Sequence, residues 1–81
     1  MYSFMPYTSI EKYIPEMVKN NVSVVARSKG QFLEQYKKYG KNLPPYWDKK
    51  RNAFIARTLA AYKLKPSYRR KLALIAWAYL P

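Results

Sequence analysis

The run Leu72-Ala-Leu-Ile-Ala-Trp-Ala-Tyr-Leu80 constrains this chain more than any other stretch, because its nine residues carry no charge. Wound as a helix, it is apolar on every face, and such a helix is stable only when other elements surround it. The residues before it, Pro66-Ser-Tyr-Arg-Arg-Lys71, end in three consecutive cations. The expectation is a core helix over the last sixteen residues, entered through a charged first turn. The longest apolar run falls far short of the ~20 residues that span a bilayer, so it belongs inside a protein fold.

The remainder of the chain must supply the surroundings. Its 81 residues leave room for one domain, 1–81, with one core. Neither disulfides nor a structural zinc can support it, since there is no cysteine and no histidine. Packing must act alone, and nine tyrosines, three phenylalanines and two tryptophans provide a large apolar area for it.

Local signals describe an all-α protein. Residues 1–7, with Tyr2, Phe4, Met5 and Tyr7, read as an extended aromatic arm that docks on the helices. Thr8-Ser-Ile-Glu11 has the form of a capping box, in which hydroxyl and carboxylate each satisfy a free amide at a helix start. Pro15 forces that helix to stop or restart, and a restart to about Asn20 is expected. Ser23 is a candidate N-cap for a short helix over the valines that follow. A second capping box, Ser28 to Gln31, leads into Phe32, Leu33, Tyr36 and Tyr39 at helical spacing, and Gly40 ends that helix. After Leu43-Pro-Pro45 the longest helix runs from Tyr46 to about Leu64, with Trp47, Phe54, Ile55, Thr58, Leu59 and Tyr62 on its buried face. Lys65-Pro66 breaks it, and the short connection implies an antiparallel hairpin with the last helix. The expected fold is a small single-domain bundle of four to five helices: two short ones before residue 28, one of medium length, then a C-terminal hairpin whose last helix is central.

Sixteen Lys and Arg against Glu11, Glu16, Glu34 and Asp48 give a net charge of +12. That exceeds the magnitude of roughly 2–8 that solubility alone explains in a small domain, and it points to a polyanionic partner. The bland alternative is a merely basic surface. So few acids, with no histidine or cysteine, leave little for general acid–base, nucleophilic or metal chemistry. A tyrosine nucleophile assisted by arginines is the remaining catalytic option, but tyrosines at helical spacing read more simply as core or interface. The expectation is a protein that is not an enzyme and uses no cofactor, metal or small-molecule substrate.

The cations gather in three places. Lys37, Lys38 and Lys41 surround Gly40, and Lys49, Lys50 and Arg51 open the long helix, so both triplets are expected at one corner. Lys63, Lys65, Arg69, Arg70 and Lys71 flank the Pro66 turn, on the order of 20 Å away at 1.5 Å per residue. Between them a strip of Lys49, Asn52, Ala53, Ala56, Arg57, Ala60 and Lys63 suits either a helix docking on a partner or close packing of another helix. Cations at a helix start oppose the dipole, which suggests a compensating anion at Lys49–Arg51 and Arg69–Lys71, unless the side chains bend away. Tyr36, Tyr39, Tyr46 and Tyr68 interleave with the cations and either stack on bases or lie half-buried.

Val22 to Tyr39 resembles a helix-turn-helix motif over some eighteen residues: Ala26 and Gly30 have its Ala-x-x-x-Gly spacing, with Val25 before and Leu33 and Tyr36 after. Gln31 stands where the motif has an apolar residue, and Ser28 reads as an N-cap within its turn. The spacing assigns no family.

The functional expectation is a small basic protein that contacts the nucleic-acid phosphate backbone, DNA or RNA, with little base specificity. Five to eight neutralised phosphates imply a log–log salt slope of roughly −5 to −7 on duplex. The alternative is an interaction module that docks its basic face on an acidic protein or a nucleic-acid enzyme. A membrane-active peptide is disfavoured, because the most apolar helix has no polar face. The N-terminal residues show no cationic region followed by an apolar run, so no secretory signal is expected and the cytoplasm or nucleoid is the expected location.

Overall fold

The computed structural model describes residues 2–81, which form six helices and no strand. These are α1 (Tyr7–Glu11), α2 (Ile14–Lys19), α3 (Val24–Arg27), α4 (Phe32–Tyr39), α5 (Pro45–Leu64) and α6 (Tyr68–Ile75). The number exceeds the four or five expected because the segment before residue 28 breaks into three short helices. Pro15 lies in the first turn of α2, where its missing N–H interrupts no helical bond. Pro45 plays the same part at the start of α5.

Neither expected capping box forms. α1 opens at Tyr7, one residue before Thr8, with Pro6 as its N-cap, because Pro6 O accepts from Ser9 N and Ile10 N at 3.0 and 3.2 Å. The Ser28 hydroxyl instead donates back to Val24 O at 2.6 Å, so it closes α3 rather than opening α4. Glu34 accepts from Gly30 N at 3.2 Å, and Gly30 holds a φ of 74° that the turn into α4 requires. Ser23 stands at the N-cap of α3 in a left-handed conformation, with no side-chain bond to the helix.

The apolar run at the C-terminus lies at the centre, but only its first part is helical. α6 ends at Ile75, five residues before Leu80. Tyr79 N donates to Leu74 O and Ala78 N to Ile75 O, the paired bonds of a Schellman ending, with Ala78 at a φ of 63°. Leu72, Leu74 and Ile75 are fully buried beside Ile10, Met17, Phe32 and Ile55. Trp77 lies in the turn and stacks between Phe32 of α4 at 4.6 Å and Phe54 of α5 at 4.8 Å.

The early ending of α6 has a tertiary cause. Had the helix continued, the carbonyls of Trp77 and Ala78 would point along its axis; instead they accept from the Arg51 side chain, through Nε at 2.7 Å and Nη2 at 2.9 Å. The same guanidinium donates to Ser3 O, and to Tyr2 O at 3.3 Å, while the Phe4 ring lies 3.9 Å from its Cζ. Ala78 O also accepts from Met5 N at 2.8 Å, and Met5 O accepts from the Tyr36 hydroxyl at 2.6 Å. The arm, residues 2–6, is therefore bonded to α4, α5 and the C-terminal turn.

Candidate nucleic-acid interface

Arg51 corrects the expected basic surface. It is 0% exposed and four of its five N–H donors serve backbone carbonyls, so the side chain is not presented to a phosphate. Burial pulls its pKa below the usual arginine value, with Tyr36, Asp48 and Tyr79 acting in the other direction. The clue lay in its register: Arg51 is four residues after Trp47 and four before Ile55, within the buried stripe rather than beside Lys49 and Lys50.

Arg69 and Arg70 also turn to backbone. Arg69 is exposed, but its guanidinium donates to Asn20 O and to Asn21 O at 3.2 Å, just past the end of α2. Arg70 Nη1 donates to Lys65 O at 2.7 Å, at the end of α5. The unfavourable placement of these cations at the start of α6 is thus offset by the carbonyl ends of two other helices, and no anion is needed to explain it. Ser67 Oγ accepts from Arg70 N at 3.1 Å, so the start of α6 is capped by its own chain as well. Lys71 is half-buried, whereas Lys65 is exposed.

Arg27 completes the pattern by donating from Nε to Val22 O at 3.0 Å. Four of the five arginines, Arg27, Arg51, Arg69 and Arg70, therefore bond main-chain carbonyls. Every lysine except Lys71 is exposed. A planar guanidinium can serve several carbonyls at fixed angles, while an ammonium keeps its hydration best in solvent.

The cations that still face outward concentrate on α5. Lys49, Lys50, Ala53, Ala56, Arg57, Ala60 and Lys63 are all exposed, and Asn52 is half-buried. No helix packs over the alanines, which removes close packing as the reason for their small size. Lys49 and Lys63 lie about 21 Å apart along the axis at 1.5 Å per residue. The one acid of α5, Asp48, is half-buried on the adjoining face. The outer face is consequently a cationic ridge with a low, alanine-lined centre.

Lys37, Lys38 and Lys41 are exposed at the end of α4. Gly40 to Pro44 join that end to α5, which keeps Tyr39 and Pro45 within about 22 Å of each other at full extension. Lys37 lies 5.7 Å from the Tyr7 ring and Lys38 lies 5.1 Å from the Tyr39 ring.

The four tyrosines interleaved with cations separate into distinct environments. Tyr36 is buried and bonded to the arm. Tyr68 is exposed but donates to Glu16 Oε1 at 3.2 Å; lost solvation, then the neighbouring Glu16 carboxylate, push its pKa up. Tyr39 is 39% exposed and Tyr46 is 63% exposed.

The helix-turn-helix spacing corresponds to α3, a turn at 28–31 and α4, with Ala26, Leu33 and Tyr36 buried between them. α3 is a single turn of four residues, shorter than a supporting helix needs. Beside it, Val24, Val25, Phe54, Ala73 and Trp77 line an open apolar groove of about 450 Å³. Among the described residues no three metal-ligating side chains gather, and no helix is long and apolar enough to cross a membrane. No protein-family model matches the chain, and neither curated proteins nor solved structures show significant similarity to it.

Proposed function

We propose that the protein binds the phosphate backbone of nucleic acid through the outer face of α5. One observation carries this reading: Lys49, Lys50, Arg57 and Lys63 are exposed along one helix face, while Ala53, Ala56 and Ala60 between them are exposed and uncovered. Cations on such a face neutralise successive phosphates, and alanines let the helix backbone come close to a strand or into a groove. The binding is electrostatic and sequence-tolerant, because lysine ammonium groups approach phosphates as point charges rather than forking onto a base edge. The single outward arginine of the ridge, Arg57, adds one bidentate phosphate contact.

Fluorescence anisotropy on random-sequence duplex, single-stranded DNA and RNA at low and moderate salt tests the reading. Binding that weakens steeply with salt supports it, and absence of binding at low salt sinks it. A second reading is an interaction module that docks the basic face on an acidic protein or nucleic-acid enzyme, and the apolar groove, where Val24 and Val25 are 51% and 65% exposed, supplies a protein-contact surface of its own. A pull-down from lysate with and without nuclease separates the two: capture lost with nuclease supports nucleic acid, and capture that survives supports the protein partner.

A further inference from the structure

The start of α5 combines an exposed aromatic ring with exposed cations, and we infer that Tyr46 is a stacking platform for an unpaired base. The inference rests on the phosphate-binding reading of α5 and narrows its substrate class to single-stranded nucleic acid.

Tyr46 is the second residue of α5, behind Pro44 and Pro45, whose rings restrict the backbone that presents it. Its neighbour Trp47 is half-buried and packs toward Phe32 at 6.5 Å between centroids, so Trp47 has a core reason to be aromatic. Tyr46 has no such reason: it is 63% exposed and meets Trp47 edge to face at 5.1 Å. With that contact in place Tyr46 still stands well out in solvent, and a stacking base displaces the Lys50 ammonium that lies over the ring. Lys50 Nζ lies 5.6 Å from the Tyr46 centroid, 5.4 Å from the Trp47 ring and 3.4 Å from the Tyr46 hydroxyl. Lys49 is exposed in the next turn position. A base on the ring would therefore place its own phosphate beside two ammonium groups at the end of α5 that carries the positive half of the helix dipole.

Duplex offers no use for such a ring, since its bases are already stacked and paired. A single strand presents π-faces that stack on any flat aromatic, so the preference is for unpaired strands and not for a sequence. Following the strand from Tyr46, the next cations on the same face are Arg57 and Lys63, which extends the contact along the α5 ridge.

The test measures anisotropy of fluorescein-labelled oligo(dT), oligo(U) and a duplex of equal length at one salt concentration, against wild type, Tyr46→Ala, Tyr46→Phe and Lys49→Gln/Lys50→Gln. Because Tyr46 is exposed, the Tyr46 variants keep the wild-type melting profile by circular dichroism. The expected result is that Tyr46→Ala weakens oligo(dT) and oligo(U) binding roughly tenfold and leaves duplex binding unchanged. Tyr46→Phe keeps the single-strand affinity, since stacking needs the ring and not the hydroxyl, while the double lysine variant weakens all three. If Tyr46→Ala leaves the ratio of single-strand to duplex affinity unchanged, the platform is overturned and the phosphate-binding reading stands. If wild type binds none of the three probes, the phosphate-binding reading falls and takes the platform with it.

Discussion

Arg51 holds together parts of the chain that are far apart in sequence. It joins residues 2 and 3 of the arm, α5, and the turn after α6 through four carbonyls. Each buried carbonyl left without a donor costs about 1–3 kcal/mol, and removal of a buried charge's hydrogen-bond network is among the largest single-residue effects. Arg51→Ala is therefore expected to destabilise by at least about 3 kcal/mol, a large part of the total stability of a domain this size. Arg51→Lys restores the charge but not the planar fork, and urea denaturation should place it closer to Arg51→Ala than to wild type. Tyr36 fixes the other side of the arm. Burial raises its pKa above 10.0, with the Arg51 charge acting against the rise. The folded state thus holds this proton more tightly than the unfolded chain, so the contribution is fully present below the unfolded value and is lost as pH climbs through the folded one. Urea midpoints should fall from about pH 10 upward, and more steeply in wild type than in Tyr36→Phe. Equal slopes in the two proteins would contradict the assignment.

At the scale of elements, the helix breaks at Pro15, Gly40, Pro45 and Pro66 are legible in the sequence because proline restricts its own backbone wherever it lies and glycine takes the positive φ that ends a helix. The ends governed by partners are not. α6 stops at Ile75 because the carbonyls after it serve Arg51, a residue more than twenty positions away, and nothing in Leu72–Leu80 announces that. The capping boxes failed for a related reason: Pro6 O was already available to the first amides of α1, and the Gln31 amide donates to the Ser28 backbone carbonyl while the Ser28 hydroxyl turns back to Val24 O. The cap that does form, Ser67 on Arg70 N, had the ordinary signature of serine two residues before a charged helical turn. Ser67→Ala should lower stability by about 1 kcal/mol, measured as a shift of the urea midpoint. The outward face of α5 was legible as a strip of cations and alanines, but whether another helix covers it depends on how the rest of the chain packs. Arg51 within the buried stripe and Leu64, 88% exposed, outside it blur the contrast that hydropathy alone would show.

Across the whole molecule, sixteen cations meet only four acids, so carboxylates cannot neutralise them. The fold divides the task between the two basic residue types. Four arginines turn inward or along the surface to main-chain carbonyls, and every lysine but Lys71, with Arg57, faces solvent. Composition revealed the excess charge but not this division, because of two side chains of equal charge adjacent in sequence, Lys50 is exposed and Arg51 is buried. On the proposed phosphate-binding reading, the consequence is fewer phosphate contacts than sixteen cations suggest. With Lys49, Lys50, Arg57 and Lys63 as the principal contacts, the log–log salt slope on duplex should be roughly −3.5, shallower than the −5 to −7 that counting basic clusters implies. The most direct measurement compares that slope in wild type and in Lys49→Gln/Arg57→Gln/Lys63→Gln, whose exposed substitutions should leave the fold intact. A fall in steepness to roughly −1 is the predicted result; a variant that binds with the wild-type slope would contradict the assignment of the interface to α5.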